Sequence, residues 1–414
     1  MSAAVNPQRT IAELKELRAL TGDENGAQRV AFTPAWAKGR AFLRRLLDEI
    51  PAEVHNDAAG NTWATLRGAS EKALLIGGHF DSVPNGGWLD GCLNVLAGVE
   101  ILRRIAAQYD GRPPITVRLV DWCDEEGARF GKSLFGSSAC SGNLDMDEAR
   151  GLTDNDGVRL PDALREHGID FERVRESRCE LANAAAYLEL HIEQGPVLLD
   201  LDLPLGAVLG TFGVERHAIT FHGQAAHSGS TPMNRRRDAF LAAGKMSAEI
   251  YRIAERSGAG VCTIGSCTTK PGIVTSVVEE CRLTLDQRHL DAAALGQMFR
   301  DAKDASEHFA REGKVRVSWE RIWHIAPRPF HEELIAMCDD AIRETCGTSH
   351  RLPSGPLHDA AEAARAGIPT VMMFVQSLHG ISHNKIEDTR EEHLSLAVTA
   401  FDKLAGKTIA WIAR

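Results

Sequence analysis

Five side chains able to hold divalent cations, and a sixth able to move protons, stand on short motifs spread along most of the chain. His79 and Asp81 follow the apolar run Ala73-Leu74-Leu75-Ile76, and the Gly86-Gly87 turn brings Asp90 back beside them. Imidazole and carboxylate are ligands for a borderline divalent metal. Taken alone, His-x-Asp favours a plainer reading, a strand-end histidine with a solvated aspartate. A second apolar run, residues 115–122, leads directly into Asp124-Glu125-Glu126. Clustered carboxylates repel one another unless a cation or a shared proton compensates them, and the alternative here is an acidic helix N-terminus. His191 closes a third run, residues 187–192, where by itself it reads as a satisfied core histidine. Beside His79, Asp90 and Glu126 it becomes a fourth ligand, and His383 in Ser382-His383-Asn384 a fifth.

These residues read as a two-cation site. His79 and His383 are assigned to one ion, Glu126 and His191 to the other, with Asp90 bridging both. Two such ions about 3.5–4 Å apart share a water, lower its pKa towards neutrality and clamp an attacked carbonyl, which is the chemistry of hydrolysis. Glu125, next to ligand Glu126 but with its own side chain uncommitted, is the expected general base. Asp81 is expected to orient His79 through the second ring nitrogen.

The elements that must position these groups follow from pattern. Residues 11–20, 36–50 and 92–109 have helical periodicity, and Thr33-Pro34 opens the second of these helices as N-cap and first-turn proline. Residues 52–68 read as a hairpin, 73–78, 115–122 and 187–192 as strands, and 147–180 as helical text with polar breaks. His79, Glu126 and His191 thus sit at or just past the carboxyl ends of strands, the edge where open α/β sheets bind ligands. From about Gly210 the order becomes β-α-β-β-α-β, that of a ferredoxin-like unit, with one strand assigned to 276–287. After Pro327 a helix at 332–346, a strand at 368–375 and a helix at 391–412 return to the first unit. The expected architecture is α/β: a catalytic domain of residues 1–212 and 328–414, its mixed central sheet flanked by helices, with a ferredoxin-like α+β domain of 213–327 inserted.

Composition narrows the class. A chain of 414 residues with 43% hydrophobic and 25% charged residues is a soluble globular protein large enough for two domains. A net charge of -10 argues against a nucleic-acid partner, which requires a basic face. No apolar stretch reaches membrane-spanning length and the opening MSAAVNPQRT has no signal-peptide pattern, so a cytoplasmic protein is expected. Nine cysteines without a C-x-x-C pair indicate neither a disulfide framework nor a thiolate zinc site.

The segments GGHFDSVPNGGWLDG, DEEGARF, HIEQGP, FHGQAAHSGSTPMNRRRDA and ISHNKIEDT resemble, in order, those of the metal-dependent amidohydrolases that include N-carbamoyl-L-amino-acid hydrolase, β-ureidopropionase and allantoate amidohydrolase. DEEGARF with HIEQGP points to the carbamoylase branch. The resemblance implies two divalent ions per subunit, of zinc, manganese, cobalt or nickel, and a homodimer whose inserted domain both pairs the subunits and closes over a small-molecule substrate. It implies hydrolysis of the ureido C–N bond of an N-carbamoyl-L-amino acid, with allantoate, N-carbamoyl-β-alanine, another N-acyl amide or a small peptide as alternatives. A binding protein that has lost catalysis is the rival of another class. By the same resemblance His227 stabilises the oxyanion from the partner subunit, although by its own residues it reads first as a turn residue capping Ser230 and Thr231. Gln194, His358 and Arg288 match substrate-contacting positions. The chain departs from the pattern at Thr275, where an asparagine is usual, at Asn94, where glycine is common, and at Leu357, where a small residue precedes the histidine.

Overall fold

Short runs of apolar residues supply the strands at the centre of the fold, and capped amphipathic segments supply the helices around them. In the computed structural model, which describes residues 4–414, the chain begins with α1 (Pro7–Thr21) and α2 (Pro34–Leu47). Both open on a proline and a capping side chain, Asn6 and Thr33. The hairpin β1 (Glu53–Asn56) and β2 (Thr62–Leu66) precedes β3 (Ala73–His79), α3 (Cys92–Gln108), β4 (Thr116–Trp122), β5 (Ala184–Ile192) and β6 (Leu205–Thr211). Next come β7 (Gly213–His222), β8 (Ala226–His227), α4 (Ala239–Ser257), β9 (Val261–Lys270), β10 (Ser276–Val277), β11 (Glu280–His289), α5 (Ala292–Glu312) and β12 (Arg316–Ile325). The chain ends with α6 (Glu332–Cys346), β13 (Arg351–Ser354), α7 (Asp359–Arg365), β14 (Thr370–Val375) and α8 (Glu391–Ile412).

Two compact units result. One runs to Leu209 and resumes at Phe330–Arg414, and the other is Gly210–Pro329; the boundaries read from composition lie a few residues inside the second unit. In the first unit the strand order is β6-β14-β5-β3-β4-β2-β1, with β13 beside β6. The four central strands β14, β5, β3 and β4 are mutually parallel, and β6, β2 and β1 join antiparallel. Every residue of β3 and β14 is buried, as parallel strands covered by helices on both faces must be. Each fully buried Leu or Ile there contributes about 1.5–3 kcal/mol. Because the four strands run together, their carboxyl ends deliver His79, the 124–126 acids, His191 and the loop bearing His383 to one edge.

Asn94 shapes that edge. The β3–β5 ladder stops at Ile76 and Leu188, and beyond it the Asn94 side-chain carbonyl accepts the Leu190 N–H at 2.9 Å. A Cβ on Gly78 would lie 2.7 Å from the Asn94 amide nitrogen. The departure from glycine at this position therefore fills the gap where the two strands separate.

The second unit is an antiparallel sheet of order β9-β11-β7-β12. Helices α4 and α5 pack on it around Ile219, Phe221, Met246, Ile250, Leu283 and Met298. The order is that of a ferredoxin-like unit. Residues 276–287, read as one strand, form two. β10 pairs with β8, whereas β11 pairs with β9 and β7, and Gly223 N–H bonds the Glu279 carbonyl where the partners change. Likewise 147–180 divides into helices Met146–Gly151 and Leu160–Glu166 and a 3-10 segment, Phe171–Leu181. Among the described residues no helix is long and apolar enough to cross a membrane.

Candidate metal centre

His79 closes β3, and its Nδ1–H donates to the Asp81 carbonyl at 3.1 Å. His191, on the neighbouring strand β5, donates Nδ1–H to the Ile192 carbonyl at 2.9 Å. Each backbone bond occupies Nδ1 and leaves Nε2 as the ring atom facing the strand ends, where a cation would displace its proton. Both Nε2 atoms converge on one oxygen of Asp90: Oδ1 lies 3.1 Å from His191 and 3.5 Å from His79. The other oxygen, Oδ2, lies 3.5 Å from His383 Nε2, which is itself 3.4 Å from Glu126 Oε2. Asp90 enters α3 through Gly91, held at φ +65°, where a Cβ would fall 2.4 Å from the His79 ring. Only glycine permits this approach.

The geometry sorts the ligands differently from the pairing expected from sequence. His79 and His191 share Asp90 Oδ1, while His383 faces Oδ2 and groups with Glu126 and Asp90. The reason is the sheet order: β3 and β5 are adjacent parallel strands, so their terminal histidines lie side by side, whereas Glu126 leaves β4 on the other flank of β3. Two nitrogen-oxygen donor groups joined by one carboxylate fit a pair of divalent cations. An unpaired atom agrees, since buried Glu126 Oε1 has no hydrogen-bond partner among the described residues.

Electrostatics point the same way. Burial works against charge on His79, yet Glu125, Asp90 and Asp81 outweigh it and hold the imidazole well above its usual range. Burial pushes Glu125 and Glu126 well above the carboxylate range, His79 opposing it in both and the Asp90 charge adding to it at Glu126. Protons are therefore the counter-charges that a cation must displace. Groups with raised pKa retain those protons towards neutral pH, so cation binding is expected to release protons and to weaken as pH falls. Calorimetry of manganese binding in buffers of different ionisation enthalpy measures the release; an identical heat in all buffers would contradict it.

Asp81 acts otherwise than expected. Its carboxylate lies 3.7 Å from His79 Nδ1, outside hydrogen-bond range, and accepts instead the backbone N–H groups of Glu125 at 3.2 Å and Glu126 at 3.1 Å. It therefore anchors the loop carrying both glutamates while its own carbonyl holds the ring. Glu125 Oε2 sits 3.7 Å from His79 Nε2. Gln194, assigned from the resemblance to substrate, donates its amide to Asp90 Oδ2 at 2.9 Å and to Ser382 Oγ at 3.2 Å. In this structure it holds the shared carboxylate, and its own Oε1 is buried without a hydrogen-bond partner among the described residues.

Sequence reasoning missed two supports. Glu387 Oε1 accepts the Leu89 and Asp90 N–H groups at 3.2 Å, and its Oε2 is 2.7 Å from Ser382 Oγ, which lies 3.0 Å from Asp90 Oδ2. Burial, then the Asp90 charge, pushes the Glu387 carboxyl up to about 7. A single hydroxyl proton cannot serve both acids, so a protonated Glu387 donating to Ser382, and Ser382 donating to Asp90, satisfies all three. Its place in ISHNKIEDT was the available signal.

Arg29 gave no signal, being a lone basic residue. Fully buried, it donates Nε–H to the Phe80 carbonyl at 2.9 Å, and its backbone exchanges bonds with Ser82 at 3.0 Å. Its other guanidinium nitrogens meet Thr21 Oγ1 at 3.1 Å and Cys92 Sγ at 2.8 Å. It thus clamps the segment between His79 and Asp90. Arg29→Met, of similar length, is expected to weaken cation affinity or turnover by about 10–100-fold, as loss of a support to a ligand does. Metal titration of the folded variant checks this, and unchanged affinity and turnover would refute it.

His358 caps the start of α7 and is buried against His191, ring centroids 4.4 Å apart. Burial, then His191, holds its imidazole well below the usual range, so it is neutral. The remaining predicted residues belong to the second unit. The ladder β8–β10 sets His227 opposite Ser276, and Ser228 N–H bonds the Thr275 carbonyl at 2.9 Å, so His227 and Thr275 are neighbours. His227 Nδ1 accepts the N–H groups of Gly229 at 3.1 Å and Ser230 at 3.2 Å, which requires the proton to be on Nε2. Arg288 Nε donates to Asp286 at 2.8 Å, and Arg216 binds the same carboxylate at 2.6 Å.

A parallel-centred sheet with histidine and carboxylate donors at its carboxyl edge, and a buried glutamate beside them, defines a metal-dependent hydrolase. The chain belongs to the peptidase family M20/M25/M40, whose model matches residues 75–407. It is 34% identical to the N-carbamoyl-L-amino acid amidohydrolase of Geobacillus stearothermophilus, covering 89% of this chain and 90% of that one. To the allantoate amidohydrolase of Escherichia coli K12 it is 30% identical, covering 90% of each. A crystal structure of a hydantoinase/carbamoylase family amidase from Burkholderia multivorans superposes with a TM-score of 0.88 at 29% identity, covering 98% of both chains. The chain is accordingly an amidohydrolase acting on C–N amide bonds.

Proposed function

We propose that this enzyme hydrolyses the ureido C–N bond of N-carbamoyl-L-amino acids, giving the amino acid and carbamate, which decomposes to carbon dioxide and ammonia. The observation that carries the chemistry is the Asp90 carboxylate shared by two donor groups, His79 with His191 and Glu126 with His383. The substrate class is supported by the 34% identity to a carbamoyl-amino-acid amidohydrolase, against 30% for the allantoate enzyme.

Two divalent ions of zinc, manganese, cobalt or nickel, when bound at these donors, supply a Lewis acid and lower the pKa of water. Glu125 takes the proton of the attacking water and passes it to the leaving nitrogen. Its burial beside His79 suits it to hold that proton between the two transfers. Asp81, Arg29 and Gln194 keep the donors in place. His358, neutral and in contact with His191, contacts the substrate, with Gln194 Oε1 as a second polar contact. The enzyme acts as a cytoplasmic homodimer, in which His227 offers Nε2–H to the oxyanion in the partner subunit. The tautomer imposed by Gly229 and Ser230 supports that donor role. Arg288 exchanges Asp286 for the substrate carboxylate, a planar fork suited to that group, and Thr275 adds one hydroxyl where an amide would give two contacts.

The test is ammonia release from a panel of N-carbamoyl amino acids, N-carbamoyl-β-alanine, allantoate, N-acetyl amino acids and dipeptides, with manganese present. Fastest turnover of the N-carbamoyl-L-amino acids is expected. Silence there, with turnover of allantoate or amine release from an acyl or peptide substrate, would overturn the substrate and leave the hydrolytic site standing.

A further inference from the structure

The second unit carries a thiol pair that the hydrolytic reaction does not use. Among the described residues β9 lies at the edge of its sheet and pairs only with β11. The register sets Cys267 opposite Leu283 and Cys281 opposite Thr269, so the two cysteines are diagonal neighbours on one face. Their sulfurs are 3.6 Å apart. Cys281 is fully buried in the core of the unit, whereas Cys267 is exposed. We propose that Cys267 and Cys281 form a reversible intrachain disulfide under peroxide, making this pair an oxidative modification site.

Closing the bond brings the sulfurs together by about 1.5 Å, to the usual 2.05 Å. Diagonal pairs have Cα atoms about 7–8 Å apart, beyond the roughly 4.4–6.8 Å usual for a disulfide, so the backbone must shift to close the bond. β9 can provide that shift: it has a single neighbouring strand, and its register is already irregular between Ile264 and Ser266. Accessibility sets the order of events. Burial, then Cys267, pushes the Cys281 thiol up to about 12, which leaves the exposed Cys267 to meet the oxidant first. Its thiolate attacks the O–O bond of hydrogen peroxide, the sulfur keeps one oxygen as sulfenic acid, and the other leaves as water. The Cys281 sulfur then attacks that of Cys267, the S–O bond breaks, and hydroxide departs with the Cys281 proton as a second water. Two thiols lose two electrons, and one peroxide becomes two waters. In a reducing compartment such a bond is transient, as expected of a redox-responsive rather than a structural disulfide. It would tie β9 to β11 just before the 271–275 segment, whose Thr275 carbonyl holds Ser228 beside His227.

The experiment treats the intact protein with hydrogen peroxide, alkylates it in denaturant, and maps it after digestion by a glutamate-specific protease. Cleavage after Glu280 separates the two cysteines, whereas trypsin leaves them on one peptide because Pro271 follows Lys270. The expected result is a Cys267–Cys281 linked peptide, and free thiols falling by two from the nine of the reduced chain. Dithiothreitol should reverse the change. Cys267→Ser, a solvent-exposed substitution that preserves folding, should keep all its remaining thiols free. A Cys267 that ends unmodified or as sulfinic acid with Cys281 still free, or a link between Cys267 residues of two chains, would overturn the proposal.

Discussion

Glu125→Gln is expected to leave a folded, metal-binding protein whose turnover falls by about 10²–10⁴-fold, the range for loss of a positioned acid/base group. The substitution keeps the shape and one carbonyl oxygen but removes basicity. The loop itself is held through the Glu125 and Glu126 backbone N–H groups bonded to Asp81, which the change does not touch. The side chain is buried, with Oε2 3.7 Å from His79 Nε2. Glu125 also groups with His79 and Glu126 as a set able to hold a cation, so metal content must be measured together with turnover. Lost turnover with metal retained supports the proton-transfer role. Lost turnover with lost metal would make Glu125 a ligand, and full activity would remove it from the mechanism.

Asp90→Asn is expected to have the larger effect. One carboxylate joins two donor groups, Oδ1 towards His79 and His191, Oδ2 towards His383, which lies beside Glu126. It also accepts bonds from Gln194 and Ser382. Burial opposes its charge, but hydrogen bonding to His191 and then His79 holds Asp90 well below the usual carboxylate range, so it is ionised. Asparagine removes that charge and turns an N–H₂ group towards atoms that must donate lone pairs. Loss of Lewis-acid stabilisation amounts to several kcal/mol, hence on the order of 10³-fold or more in rate at 1.36 kcal/mol per tenfold. Metal analysis of the purified variant should show both ions depleted. Two retained ions with near-normal turnover would refute the shared role.

The candidate donors His79, Glu126 and His191 could be proposed from sequence because each stands at or just past a strand end, where the apolar run gives way to a histidine or an acid that a core does not require. Their pairing could not. It depends on β5 lying beside β3 with β4 on the other flank, and non-local strand order is not written in the spacing of His79, Glu126 and His191. The role of Asp81 was misjudged for a related reason: proximity in sequence pointed its carboxylate at His79, whereas the turn presents its carbonyl to the ring and frees the carboxylate for the 125–126 backbone. Arg29 left no trace, since a buried guanidinium satisfied by a carbonyl, a hydroxyl and a thiol carries no motif. The ferredoxin-like order was readable from alternating periodicity, but the change of partner between β10 and β11 was hidden because only Val278 and Glu279 separate the two strands. Strand β6, with two glycines in seven residues, has too little β-propensity to announce itself.

The most direct measurement is metal reconstitution. Protein stripped with a chelator and titrated with manganese is assayed for C–N cleavage of its best panel substrate after each addition. The expected result is no turnover in the stripped protein and recovery that saturates at two equivalents per chain. Full turnover in the stripped protein, or saturation at a single equivalent, would contradict a site in which Asp90 joins two cations.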